Sequence, residues 1–312
     1  MKKERRYSTF KRYVLAVAVL GIVSGQGFAQ FPEDALRFAT PGLGVGGRAV
    51  GMGGAYTGVA SDYSALFWNP AGLVQLEHGE FSLGLSHLNF QNKSTFLGAS
   101  ESFTNNATQL NALGLVFPVQ VKRGSLVFAF GYNRQSNFTT GLSFEAFNPN
   151  SSIVQTFNRD GAAVSGSPGG IAWELYLADT TTDGQGRRIY YSPIVDRVTQ
   201  LGKVLEGGGL NNYSAGGAVD IAKNVSVGAT LSYVSGTYKY DRTYKEQDNR
   251  NIYQSNINGS PLQFDQFVQD DFVESDVTGF NAKLGLFYRV PDRFRFGLTA
   301  KSPTVFRVQE SF

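Results

Sequence analysis

From Gly79 onward the chain repeatedly alternates apolar residues with polar or small ones at a period of two, the pattern of a strand with two unlike faces. In residues 125–133, Leu126, Phe128, Phe130 and Tyr132 make one face, and Ser125, Val127, Ala129, Gly131 and Asn133 make the other. Residues 280–290 set Phe280, Ala282, Leu284, Leu286 and Tyr288 against Asn281, Lys283, Gly285, Phe287 and Arg289. In residues 293–301, Phe294, Phe296, Leu298 and Ala300 oppose Arg293, Arg295, Gly297, Thr299 and Lys301. Val225, Val227, Ala229, Leu231 and Tyr233 alternate with Ser226, Gly228, Thr230 and Ser232, and weaker alternation runs through 81–88, 110–119 and 213–221. The pattern predicts about seven strands of about ten residues, a length suited to a tilted strand crossing a bilayer.

A soluble sandwich produces the same alternation, so the connections decide. In order they run long, short, long, short, long, short: 89–109, 120–124, 134–212, 222–224, 244–277 and 291–292. Sandwich loops have no reason to alternate in length, whereas outer-membrane barrels have short turns at the periplasmic rim and long loops outside. Tyr132, Tyr233 and Tyr288 end their apolar faces, as an aromatic girdle does. The expected fold is all-β, a transmembrane antiparallel β-barrel over residues 79–312. Within the second long loop, 171–178 and 193–205 have helical spacing, and Gly207, Gly208 and Gly209 are expected to stop the second helix.

Composition narrows the class. The 312 residues include 37 Gly, 25 Phe and 15 Tyr, no Cys, 17% charged residues and a net charge of +3. Charged residues fall below the ~25% usual in soluble domains, and the near-neutral balance gives no basic footprint for nucleic acid. The absence of Cys excludes disulfides, thiolate zinc sites, Cys nucleophiles and iron–sulfur clusters. Mean hydropathy of −0.18 argues against a bundle of membrane helices.

Residues 1–29 read as a secretory signal peptide. Lys2, Lys3, Arg5, Arg6, Lys11 and Arg12 form a basic region, residues 13–23 a short apolar core, and Gly27-Phe28-Ala29 a cleavage site. The apolar stretch falls short of the ~20 residues of a spanning helix. The expected location is the outer membrane of a Gram-negative bacterium.

Residues 30–78 differ from the rest: they are Gly-rich and lack strand-length alternation. A phosphate-binding Gly loop needs a preceding strand and a following helix, and neither is predicted here. Asn69-Pro70 reads as an N-cap followed by Pro at the first helical position, with Phe67 and Trp68 as an apolar knob beside it. The run Gly46-Gly47-Arg48-Ala49-Val50-Gly51-Met52-Gly53-Gly54-Ala55, followed by Asn69-Pro70-Ala71 just before the first strand, resembles the FadL family of outer-membrane transporters of hydrophobic compounds. Barrels associated with type IX secretion look similar in the same region.

The resemblance implies that residues 30–78 are an N-terminal hatch plugging the barrel, with Gly51, Gly53, Gly54, Asn69, Pro70 and Ala71 as its motif. It implies long-chain fatty acids, aromatic hydrocarbons or similar hydrophobic small molecules as cargo, no cofactor, and outer-membrane lipid and the barrel-assembly machinery as partners. The specific match covers about 45 residues. Family barrels have 14 strands, so about seven suggest the N-terminal part of a member. Residues 302–304 are expected to be an outer-rim loop and 305–312 the start of an eighth strand, although Glu310 sits where a membrane-facing residue is expected.

The face opposite the apolar one offers small residues, Ala129, Gly131, Gly228, Gly285 and Gly297, leaving room for a plug and a ligand. Phe287 and Val127 add apolar lining. Lys283, Arg289, Arg295 and Lys301 are expected to point into the lumen. There they pair either with a ligand carboxylate or with lumenal or hatch acids such as Asp62. Phe287, Lys283, Arg295 and Lys301 are the candidate ligand contacts. No enzyme is expected: the only histidines are His78 and His87, and Ser86 and His87 diverge to opposite faces of a strand. Asp265, Asp270, Asp271, Glu274 and Asp276 fall in the third long loop without the spacing of a calcium motif, and no metal site is expected. A polar-solute porin and a secretion-associated barrel are the alternatives to the transporter.

Overall fold

A computed structural model describes residues 32–40, 42, 44–157, 172–182, 184–186, 188–254, 256–257, 260–261, 263–291 and 293–312. The expected signal peptide lies outside them. The chain forms two compact units, 1–41 and 42–312. In the first, helix α1 (Pro32–Ala39) ends with the Thr40 hydroxyl donating to the Leu36 carbonyl at 2.6 Å.

The second unit is a mostly antiparallel β structure, a curled half-barrel of seven long strands. It opens with helices α2 (Gly47–Gly51) and α3 (Ala65–Trp68) and a 3₁₀ helix over Pro70–Gln75. The main sheet holds β1 (Glu80–Phe96), β2 (Ala99–Val119), β3 (Leu126–Asn137), β4 (Thr140–Asn148), β7 (Val198–Ala222), β8 (Val225–Gln247), β11 (Gln266–Val290), β12 (Phe294–Lys301) and β13 (Val305–Ser311). Its path runs β1-β2-β3-β7-β8-β11-β12, with β4 also on β7 and β13 also on β11. Helix α4 (Val154–Phe157) and the small ribbons β5–β6 (Asp179–Thr182, Arg188–Tyr191) and β9–β10 (Asn256–Ile257, Ser260–Pro261) lie in the long connections.

Every predicted strand is present, but the strands of the main ladder are far longer than ten residues. β1 has 17, β2 has 21, β7 and β11 have 25, and β8 has 23. The extensions carry polar residues on both faces among scattered apolar ones, so no clear period of two is left in the sequence. The expected loop 89–109 is therefore a hairpin: β1 and β2 pair from Glu80 to Phe96, and only Leu97 and Gly98 turn the chain. Both have positive φ (48° and 86°), the backbone sense of a tight two-residue hairpin turn.

The other two expected loops shrink as well, to roughly 149–197 and 248–265. The helix expected over 193–205 gives way to β7 from Val198, because pairing with β4 on one side and β8 on the other outweighs a fortuitous 3.6 spacing. Gly207–Gly209 lie within β7 rather than ending a helix. Residues 172–174 are helical, so only part of the other expected helix is found.

β3 and β4 lie end to end along β7, and β12 and β13 end to end along β11. Residues 305–312 thus continue the seventh strand instead of beginning an eighth. At the junction, Ser302 exchanges hydrogen bonds with the Ala282 backbone (both 2.9 Å) and carries the ladder past Pro303, which has no N–H to offer.

Candidate functional site

The cross-strand registers sort the sheet into levels. On one face Tyr132, Tyr213, Tyr233 and Phe280 lie directly opposite one another across β3, β7, β8 and β11. Their ring centroids are 5.3, 6.4 and 4.8 Å apart. Below this row, towards the short turns, the same face carries Phe128, Phe130, Ala215, Leu231, Ala282 and Leu284. Phe128, Phe130, Leu231 and Leu284 are exposed. Above it the face turns polar, with Ser235, Thr237, Lys239 and Asp241 on β8. Along β8 the apolar part spans Val225 to Tyr233, about 26 Å of strand at roughly 3.3 Å per residue. Two smaller side chains, Ala215 and Ala282, let an apolar groove of about 730 Å³ open beneath the aromatic row, bounded by Leu113, Phe130 and Leu231.

The opposite face carries the Gly-rich segment. A core joins Ala49, Tyr56, Ala60, Tyr63, Leu66, Ala71 and Leu73 of that segment to Val116, Val127, Ala129, Ala218 and Phe287 of the sheet. The predicted small residues are what permit this approach. A Cβ on Gly285 would fall on Asn69 Oδ1, and one on Gly228 would stand 2.5 Å from the Pro70–Ala71 backbone. In the motif, Gly53 and Gly54 take positive φ (63° and 82°) just past α2, where other residues are strained.

Asn69 is the hub of the contact. Its Oδ1 accepts from Ala71 N at 3.1 Å, capping the 3₁₀ helix that begins at Pro70, as expected. Its Nδ2 donates to Thr57 O at 3.0 Å within the segment and to Leu286 O at 3.1 Å on β11. Just before it in the chain, Phe67 O accepts from Lys283 Nζ, and Trp68 O accepts from Thr299 Oγ1 at 3.0 Å. Lys283 also lies 4.3 Å from the centroid of the Phe67 ring, and Trp68 Nε1 donates to Val45 O at 2.8 Å. Carbonyls 67 and 68 and the Asn69 amide therefore bind this stretch to two adjacent strands.

Asp62, one candidate acid partner for the basic residues of this face, does not pair with Lys283. Asp62 instead accepts from Tyr56 OH at 2.9 Å, Ser64 N at 2.9 Å and Ser64 Oγ at 2.5 Å. The ion pairs recorded among the described residues, Asp196–Arg197, Lys239–Glu274 and Arg242–Asp271, do not include Lys283. Burial, reinforced by the Asp62 and Glu80 charges, pushes the Tyr63 hydroxyl up to about 12. Burial and the Asp62 hydrogen bond likewise raise Tyr56.

The predicted ligand contacts separate. Phe287 is packed into the core at 1% exposure, and Lys283 is buried against Phe67. Arg295 and Lys301 share their face but lie exposed on the last strand of the path. None of the four lines the outward groove. Of the acids placed in the third loop, Asp265 stays in the connection, whereas Asp270, Asp271, Glu274 and Asp276 stand on β11: Asp270 accepts from Thr243 Oγ1 at 2.7 Å, Asp271 from Arg242 Nε at 2.7 Å, and Glu274 pairs with Lys239. His87 meets Thr108 Oγ1 at 2.9 Å across the β1–β2 hairpin.

Beyond the reach of the sequence lay the levels above Lys283 on the inner face. Gly131, Ser214, Ser232 and Asn281 form one, and Asn133, Asn212, Val234 and Gly279 the next. Asn133 and Asn281 were legible as members of a polar face, but Asn212 fell in an expected loop. Compared with known proteins, the chain matches no family model, no curated protein and no solved structure.

Proposed function

We propose that the protein is an outer-membrane transporter of hydrophobic compounds, such as long-chain fatty acids or aromatic hydrocarbons, in which the Gly-rich segment is the hatch of a β-barrel. The observation that carries this reading is the division of labour between the two faces. One has an apolar band bounded by a continuous aromatic row, as a lipid-facing wall requires. The other is occupied by a segment seated on small residues. An aqueous porin has no use for such a plug.

In this reading the cargo passes when the hatch shifts, and the bonds at 67–69 are the ones to be broken. Each is a neutral or singly charged hydrogen bond worth about 1–2 kcal/mol net, so the contact is specific without being permanent. The reading requires the edges of β1 and β12 to be paired in the membrane, because lipid offers no partner for a free ladder.

The test is uptake by liposomes holding the full-length protein. Entry of a long-chain fatty acid or of xylene, without swelling in isotonic sugar, is the expected result. Swelling in sugar would replace the reading with a porin, and neither activity, together with binding to exported proteins, with a secretion role. Lys283→Met, which releases the Phe67 carbonyl, is expected to loosen the hatch and change entry of carboxylates and neutral hydrocarbons alike; a loss confined to carboxylates would instead assign this cation to the cargo.

A further inference from the structure

The inner face above Lys283 holds polar side chains that are buried without being satisfied. Asn133, Asn212 and Asn281 are 5%, 4% and 7% exposed. Asn133 Nδ2, Asn212 Oδ1 and Asn281 Nδ2 have no hydrogen-bond partner among the described residues, nor has Thr230 Oγ1 one level below. Ser214 and Ser232, between them, bond each other at 2.9 Å. A buried polar atom without a partner is costly, so a cluster of four on four adjacent strands is a standing demand for a ligand.

The demand has a definite chemistry. Asn133 and Asn212 are direct cross-strand partners, which sets their Cβ atoms about 5 Å apart. Between them they present one free donor and one free acceptor. Each amide keeps a sliver of exposure and can turn about its last side-chain bond, so the pair can offer a donor beside an acceptor to an incoming group. A hydroxyl or a carboxamide supplies both complements. A carboxylate only accepts and leaves a buried acceptor facing it, and Lys283, one level below on β11, already holds the Phe67 carbonyl. A bare hydrocarbon satisfies none of these atoms.

We propose that this buried tier is a subsite for the uncharged hydrogen-bonding end, a hydroxyl or carboxamide, of an otherwise apolar molecule. It rests on the transport reading above and names the class of cargo that the inner face selects. Asn133 and Asn212 grip the head group; Asn281 and Thr230 supply further donors beside it.

The test is equilibrium binding of radiolabelled 1-dodecanol, dodecanamide, dodecanoate and dodecane to the full-length protein in nanodiscs, with empty nanodiscs as the blank. The alcohol and the amide are expected to bind about tenfold more tightly than the alkane and the carboxylate, the scale of one or two hydrogen bonds. Asn133→Leu with Asn212→Leu is expected to erase that preference, in protein whose heat-modifiable migration shows a folded barrel. Should this pair fail to fold, Asn133→Asp with Asn212→Asp keeps the shape, removes the amide donors and should lose the preference equally. Equal binding of all four ligands, as ordered water filling the tier would give, overturns the proposal. So does a preference for dodecanoate, or a preference for the alcohol that survives the substitutions. Failure of liposome uptake with the alcohol preference intact would instead sink the transport reading and leave the subsite standing.

Discussion

Two cores sit on the same sheet and are held by opposite means. Near the short turns, the Gly-rich segment meets the sheet through small residues and single hydrogen bonds to the backbone at Phe67, Trp68 and Leu286. At the far end, Val154, Ala172, Ile194, Val198, Tyr253, Phe264 and Phe267 form a separate apolar core. A carboxylate with no exposure, Glu246, is sunk beside it. Glu246 accepts from Ser152 Oγ at 2.5 Å, Ile153 N at 2.8 Å, Gln200 Nε2 at 2.7 Å and Tyr244 OH at 2.7 Å. Next to it Asp248 accepts from the backbone of Ile252 (2.9 Å) and Tyr253 (2.7 Å). A buried carboxylate with four donors cannot be half undone, since each lost donor leaves charge unsolvated. The outer core is therefore a fixture, whereas the inner contact can be opened bond by bond.

Trp68 lies in the inner contact and Trp173 next to Ala172 of the outer core, and they are the only two tryptophans, so single-Trp variants report on the two cores separately. Glu246→Ala strands four donors and should destabilise the outer core by about 3–5 kcal/mol, read as an earlier urea transition of Trp173 with that of Trp68 unmoved. A common shift of both would erase the contrast. Gly285→Val forces a side chain onto Asn69 and should cost the inner contact about 2–3 kcal/mol, seen as protease cleavage within 42–78 while Trp173 fluorescence stays native. Asn69→Ala removes the cap and both carbonyl contacts, with an expected loss of about 1–2 kcal/mol confined to Trp68.

The smallest effect is that of pH. Tyr63 keeps its proton up to about 12 when folded, but releases it near 10 when unfolded. Stability conferred by the inner contact is thus complete below pH 10 and falls as pH rises towards 12. Trp68 fluorescence in a Trp173→Phe variant should change in that window, and Tyr63→Phe should reduce the change, leaving the part due to Tyr56.

The strand segments with an apolar face were legible in the sequence because the residues of their two faces differ and a period of two records the difference. Their extensions were not: in residues 89–109 the half-buried face mixes Phe90, Phe96 and Phe103 with Asn92, Ser94 and Asn105, so polar residues on both faces blur odd and even positions. The same limit hid Asn212 and turned the start of β7 into an expected helix. Asn69 was readable as a cap from local chemistry, but its bond to Leu286 joins residues 217 apart and leaves no local trace.

The sequence by itself determined which face of the apolar strand segments is apolar, the turns at 120–124, 222–224 and 291–292, and that a Gly-rich segment precedes the sheet, because each follows from residues within a few positions of one another. Only the tertiary structure decided that Lys283 holds a backbone carbonyl rather than Asp62, that β12 and β13 extend one strand, and that four tyrosine and phenylalanine rings align at one level. Those outcomes depend on the register between strands, which is fixed by the sum of many cross-strand pairs and by no residue alone.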